Sequence, residues 1–344
     1  MSKRMIAALI AALPTLGGAS ANERGEVLDA VALSGSPAIS IYALSMHGLP
    51  APYHIAGDRL VRRAGLAGRG SGSTWLHFFP VLTYDGNING GAVGEAVTLD
   101  GFRFEIADAY RAVGGVLVGA AVSSGARIGL DGGTALEFDL GASAAWSPER
   151  SMSKTSIGGS ACLHHVSANR ATHLRGCLDV HRLEYNLGET RRAGAELGIG
   201  RVFASRTAFH EVGASLRRER DFVGAGPDQA ILTARYTGAF TGGWTFSAVG
   251  GFGARIEERI VMRERFSVSA ARVMAGRPTS LMIGLQRNRG GLFLGEVRNE
   301  RVISLGIGRQ MNDQFTIGAT ASRTEAKHDF FDDTGFGLNL GLRF

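Results

Sequence analysis

The chain lacks any run of 18 consecutive apolar residues, so no membrane-spanning helix is read from it. Helical periodicity is scarce along the rest of its length. The two cysteines allow at most one disulfide. No Lys/Arg run carries the interleaved aromatics of a nucleic-acid surface, so no nucleic-acid partner is expected. The apolar residues, 44% of the chain, are spread singly instead of gathered into core runs. What is abundant is glycine. Fifty residues is about twice the usual share of roughly 7%. Scattered apolar residues among Gly, Ser, Thr and charge suit strands with one face in lipid and the other toward a polar lumen.

The N-terminus reads as a secretion signal. Lys3 and Arg4 precede an apolar stretch from Met5 to Leu13, and Ala19-Ser20-Ala21 is a cleavage site ending at Ala21. The apolar stretch is too short to span a bilayer as a helix, which takes about 20 residues. Removing 21 of 344 residues leaves 323, and losing Lys3 and Arg4 lowers the formal charge from +6 to +4.

The far end shows the clearest pattern. Phe336, Leu338, Leu340, Leu342 and Phe344 lie on one face, and Gly335, Gly337, Asn339, Gly341 and Arg343 on the other. Period-two alternation places one set in lipid and the other in a lumen. The terminal Phe with these alternating residues also resembles the signal by which outer-membrane barrels are handed to their assembly machinery.

Similar alternation recurs upstream. The expected strands are 73–84, 114–130, 134–147, 152–166, 172–186, 190–204, 207–221, 228–240, 242–256, 264–275, 279–288, 300–311, 314–326 and 332–344. Fourteen is an even number, as a single-chain bacterial barrel requires. The expected fold is therefore an all-β transmembrane antiparallel barrel over residues 73–344, in the outer membrane of a diderm bacterium. Phe102, Phe104 and Ile106 also alternate. With a further strand near 38–47, the count becomes sixteen. Parity puts both termini on the periplasmic side. Short turns at 131–133, 205–206, 241 and 311–313 then fall inside, and long connections at 85–113, 220–227, 255–263 and 288–299 outside. Residues 22–72 do not fit the barrel pattern. Ile39 to Ser45 reads as a short strand and Arg59 to Gly72 as a basic, Gly-rich linker, the whole being a periplasmic extension or a plug.

Alternation assigns Arg127, Glu137, Asp139, Asp179 and His181 to the lumen, together with Glu196, Glu211, Arg217, Glu219, Arg235 and Arg343. No ring of one charge sign is visible in that set. Cys162 and Cys177 sit opposite each other on neighbouring strands, which suits a cross-strand disulfide in an oxidising compartment. The alternative is a metal site formed with His164 and His181. His165 and Ser167 invite a catalytic reading. They lie at a periplasmic turn with no carboxylate placed to orient the histidine, so no enzyme activity, cofactor or metal is expected. Arginine-rich outer connections at 217–221 and 255–265 are candidates for contact with outer-membrane lipid and lipopolysaccharide phosphates.

The stretch Pro80-Val81-Leu82-Thr83-Tyr84-Asp85-Gly86-Asn87-Ile88-Asn89-Gly90-Gly91 resembles the entry to the barrel of surface lipoprotein assembly modifier proteins. The ending Gly335 to Phe344 adds to the resemblance. That family implies a fourteen-stranded barrel that helps a lipoprotein client reach the cell surface, with an N-terminal helical-repeat domain for which 22–72 is too short. The expected function is a channel or translocation barrel. The alternatives are a general diffusion porin and a closed structural barrel.

Overall fold

The computed structural model describes residues 27, 29–45, 51–92, 94–99, 102–223, 228–256, 259–293, 296–312, 315–327 and 331–342. The signal cleavage site at Ala21, Arg343 and Phe344 lie outside the described residues.

Among the described residues, sixteen strands follow a helical stretch at 29–33 and the helices α1 (Pro37–Leu44) and α2 (Ala51–Arg63). The first strands are β1 (Gly72–Asp85), the short pair β2 (Ala96–Leu99) and β3 (Phe102–Glu105), and β4 (Gly115–Gly129). Then come β5 (Thr134–Ser147), β6 (Met152–Val166), β7 (Thr172–Tyr185), β8 (Gly188–Ala204) and β9 (Ala208–Asp221). The rest are β10 (Asp228–Phe240), β11 (Trp244–Gly253), β12 (Ile260–Met274), β13 (Arg277–Phe293), β14 (Glu296–Gln310), β15 (Phe315–Ala326) and β16 (Asp333–Leu342).

Fourteen of the strands close a barrel of antiparallel neighbours, β1 pairing with both β4 and β16. No edge remains, so every strand finds its hydrogen bonds within the sheet, as a span through hydrocarbon demands. For fourteen strands, a spacing of about 4.8 Å and a tilt near 40° put opposite backbones about 28 Å apart.

The sixteen-strand alternative is not what forms. Phe102 and Phe104 belong to the β2–β3 hairpin, a separate two-stranded sheet in the long connection after β1. The connection expected at 288–299 is also shorter, because β13 runs on to Phe293 and β14 begins at Glu296, with a register irregularity between Arg289 and Leu292. Polar strand ends above the lipid carry no alternation signal, yet their backbones still pair. β12 likewise starts at Ile260, inside the expected 255–263 connection.

The outer wall is apolar. Leu197 is 73% exposed, Leu178 66% and Phe252 63%, while their strand neighbours of opposite parity turn inward. Phe336 and Leu338 follow the same rule on β16. Outward aromatics gather at both ends of this band. Tyr84 and Trp146 lie toward the far rim, and Phe203, Tyr236, Phe240, Trp244 and Phe246 toward the near rim, where the chain enters and leaves the barrel. Paired aromatic girdles mark the two interfaces of a bilayer.

The N-terminal segment lies inside the barrel at the near rim. Residues 29–33 are helical, and α1 follows with Ser36 as N-cap and Pro37 in its first turn. Ala30, Val31, Ile39 and Ala43 form one buried cluster with Val202 and Ala239 of the inner wall, against which Phe209 also packs. Ile41 turns the other way and packs with Val61 and Ala64. The strand expected at Ile39 to Ser45 is thus a helix. Its alternating apolar residues arise because it is enclosed between the wall on one side and α2 on the other. The first five of the fourteen residues of the expected 59–72 linker are helix as well, since α2 extends to Arg63. The chain then meets the near-rim turn, where Gly133 N–H donates to the Leu66 carbonyl.

Candidate functional site

The inner wall has two unlike halves. From β4 to β10 it carries closely spaced charge; over much of β13 to β16 it is small and neutral, while β12 adds Arg265, the far-rim end of β14 adds Arg298 and Glu300, and β1 adds Trp75, His77, Phe79 and Asp85.

On the charged half, Arg217 grips Asp179 with two hydrogen bonds of 2.5 and 2.8 Å and also donates to Glu219 at 3.1 Å. Arg127 is paired with Glu137, whose carboxylate lies 3.5 Å from His164 Nε2. Glu196 lies 3.9 Å from Arg235, and Lys154 meets Asp85 at 2.7 Å. Positive and negative groups therefore alternate sideways around the wall and form no ring of one sign. Asp139 and His181 share this face. Of the residues assigned to the lumen from sequence, all those described lie on the inward face; Arg343 lies outside the described residues.

Glycine explains how so many long side chains fit. A Cβ at Gly194 would overlap the Arg217 guanidinium, and one at Gly200 would overlap the His173 ring. Gly213 offers the same seat beneath Arg235. In each case a long polar side chain lies flat across a glycine on the adjacent strand. These side chains thereby stay close to the wall.

Much of β13 to β16 continues that economy with small side chains. Ser280, Gly284, Ser304, Gly306 and Gly308 face inward on β13 and β14, followed by Thr316, Gly318, Thr320 and Ser322 on β15 and Gly335 and Gly337 on β16. Their mutual approach confirms the shared face, since a Cβ at Gly337 would touch the hydroxyls of Thr320 and Thr83. Met282, Gln286, Asn288, Arg298, Glu300 and Val302 are larger residues on the same face of β13 and β14. The Asn339 side chain lies outside the described residues.

Cys162 and Cys177 are cross-strand partners and form a disulfide, with Cα atoms 4.1 Å apart. Arg175 Nε donates to Cys177 Sγ at 2.9 Å. No group of three or more His, Cys, Asp or Glu side chains suited to a metal occurs among the described residues. His165 and Ser167 do not meet. His165 Nδ1 is bonded to Thr134 at 3.0 Å, while Ser167 donates to Asn169 at 2.6 Å to close its turn.

The plug is tied to this wall by two polar contacts that the sequence did not announce. Ser36 Oγ accepts from the Ile39 N–H at 3.0 Å, capping α1, and donates to Glu211 Oε2 at 2.5 Å. The other Glu211 oxygen meets His173 Nε2 at 3.1 Å. Thr245 Oγ1 donates to the Ala30 carbonyl at 2.8 Å in a buried position. The Ser-Pro pair at 36–37 is a readable cap signal; its partner on β9 is not.

At the far rim, the Asp85 to Gly91 stretch is a fastened turn. Asp85 Oδ1 accepts from the Asn87 N–H at 2.9 Å, Asn87 Nδ2 donates to the Gly91 carbonyl at 2.7 Å, and Asn89 Oδ1 accepts from Val113 N–H at 2.9 Å. Ile88 is fully buried beneath it. The spacing of aspartate and asparagines is thus used to pin the long connection to the barrel.

No family model and no curated protein matches the chain. Solved structures of similar architecture include OccK9 (OpdG) of Pseudomonas aeruginosa, at 8% identity and TM-score 0.43 over 79% of this chain and 99% of that one. OpdK of Pseudomonas aeruginosa with vanillate shows 10% identity and TM-score 0.43 over 79% and 97% of the two chains. A BenF-like porin from Pseudomonas fluorescens Pf-5 shows 6% identity and TM-score 0.44 over 79% and 99%. None of the three is an assembly modifier. Scores of this size carry no argument about what this chain conducts. A closed strand barrel with an apolar belt between aromatic girdles is by its own geometry an outer-membrane β-barrel.

Proposed function

We propose that the chain is a channel for small polar solutes, a porin whose periplasmic mouth is narrowed by its own N-terminal helices. The observation that carries this is the inner wall. A barrel built only as a structural post would fill its bore with interlocking side chains. Here much of β13 to β16 presents Gly, Ser and Thr to the bore, and on β7 to β10 Arg217, His173 and Arg235 lie flat over glycines. Mixed charge without a ring favours weak selectivity, as in general diffusion. Export of a lipoprotein client, implied by the resemblance of 80–91, has less support, since that stretch is accounted for as a loop fastening.

The test is ion conductance of the refolded mature chain in a planar bilayer. Discrete openings with a reversal potential near zero in a salt gradient are expected. A correctly folded barrel that stays silent, both as wild type and with its plug contacts weakened, would overturn the channel reading.

A further inference from the structure

The outer surface carries an arginine pair that no carboxylate among the described residues neutralises. Arg287 on β13 and Arg301 on β14 are direct cross-strand partners on the outward face. They stand immediately above Leu285 and Ile303 of the apolar band, at its far-rim edge. Like charges directly opposite each other destabilise a sheet. Arg289, one outward position further along β13, and Arg323, beside Ile303 on β15, add to the same patch.

The molecule contains its own comparison. Arg182 on β7 and Arg191 on β8 are also direct partners on the outward face. There Glu189 bridges both, at 3.0 Å from Arg182 and 2.8 Å from Arg191. At Arg287 and Arg301 no such bridge exists among the described residues. The two flanking carboxylates are Glu264, opposite Arg287, and Glu325, opposite Arg301. Glu325 is engaged by Arg323 at 3.4 Å, and no ion pair within 4 Å joins Glu264 or Glu325 to the central pair. Arg287 spends one N–H on Asn299 at 3.2 Å.

From this we infer that Arg287 and Arg301 bind the phosphate of a phosphorylated lipid in the outer leaflet, the anion taking the place that Glu189 fills on the opposite wall. Guanidinium forks match phosphate oxygens two bonds at a time. The chain's charge supply suits that use, with 34 arginines against three lysines. Acyl chains of the same lipid lie along Leu285, Ile283, Leu305 and Ile307 directly below. A soluble anion would gain nothing from that apolar strip, so the position selects a lipid. The inference rests on the outer-membrane orientation but not on conduction.

The experiment follows the thermal unfolding of the refolded mature chain in detergent micelles titrated with bisphosphorylated lipid A, with dephosphorylated lipid A and with inorganic phosphate. Wild type is expected to gain stability with the bisphosphorylated lipid alone. R287Q/R301Q is expected to respond with an apparent affinity weaker by about tenfold or more, whereas R182Q/R191Q responds like wild type. Without lipid, R287Q/R301Q is expected to be no less stable than wild type, because a repulsive pair has been removed. Equal responses of wild type and R287Q/R301Q would overturn the inference. So would an equal gain from inorganic phosphate, or a lipid-independent loss of stability in R287Q/R301Q. Conductance recorded on the same preparations separates this outcome from the channel reading, which stands or falls by openings alone.

Discussion

Ser36 does two jobs, and one substitution separates them. Its hydroxyl caps α1 and also donates to Glu211 on β9. Glycine is nearly as good an N-cap as serine, costing a few tenths of a kcal/mol. Ser36→Gly therefore leaves the helix start largely intact and removes the anchor to the wall. A hydrogen bond to a charged group contributes roughly 1.5–3 kcal/mol. Glu211 keeps His173 as a partner at 3.1 Å, so it is not stranded and the loss falls toward the lower end. At about 1.4 kcal/mol per decade, the plug-released population rises about tenfold, and at most about a hundredfold. Single-channel recording is expected to show longer or more frequent high-conductance dwells. Limited trypsin digestion is expected to cut faster at the exposed Arg59, Arg62 and Arg63 of α2. Thr245→Val removes the second tie, a neutral bond of about 1 kcal/mol, and should act in the same direction with a smaller effect. If neither variant changes conductance or cleavage, the plug is held by its apolar packing alone and the reasoning about polar anchors is wrong.

Gly194→Ala should dislodge the Arg217 guanidinium and cost about 1.5–3 kcal/mol in urea unfolding, most of which should vanish in an Arg217→Met background, where nothing occupies the glycine. Replacing Cys162 and Cys177 by alanine opens a link across a sequence separation of 15 and should lower stability by about 3 kcal/mol, with conductance retained because the bridge lies along the wall. Leu197→Arg places a charge on the lipid face and should destabilise the barrel in bilayers by about 2–4 kcal/mol. An unchanged unfolding midpoint there would mean that β8 faces something other than lipid.

Much of the architecture was legible because a strand writes its two environments into alternate residues. Leu136, Phe138 and Leu140 against Glu137 and Asp139 leave one choice of face, and a slip by one residue would put charge into lipid. The same logic located the disulfide partners, since a short turn between β6 and β7 sets the register that brings Cys162 to Cys177. The misreadings have physical causes too. At 39–45 the helix is enclosed on two sides, so its apolar residues do not trace one stripe. At 102–106 alternation reports a hairpin that belongs to another sheet.

The fourteen-strand barrel and the faces of its strands were thus legible in the sequence alone, through period two and turn lengths. Three things were decided only by the closed fold. These are the seating of Arg217, His173 and Arg235 over glycines of neighbouring strands, the tie from Ser36 to Glu211 across 175 positions of chain, and the outward confrontation of Arg287 with Arg301. Alternation says which way a side chain points. It does not say what stands beside it on the next strand, because that depends on register and closure, which the whole barrel sets together.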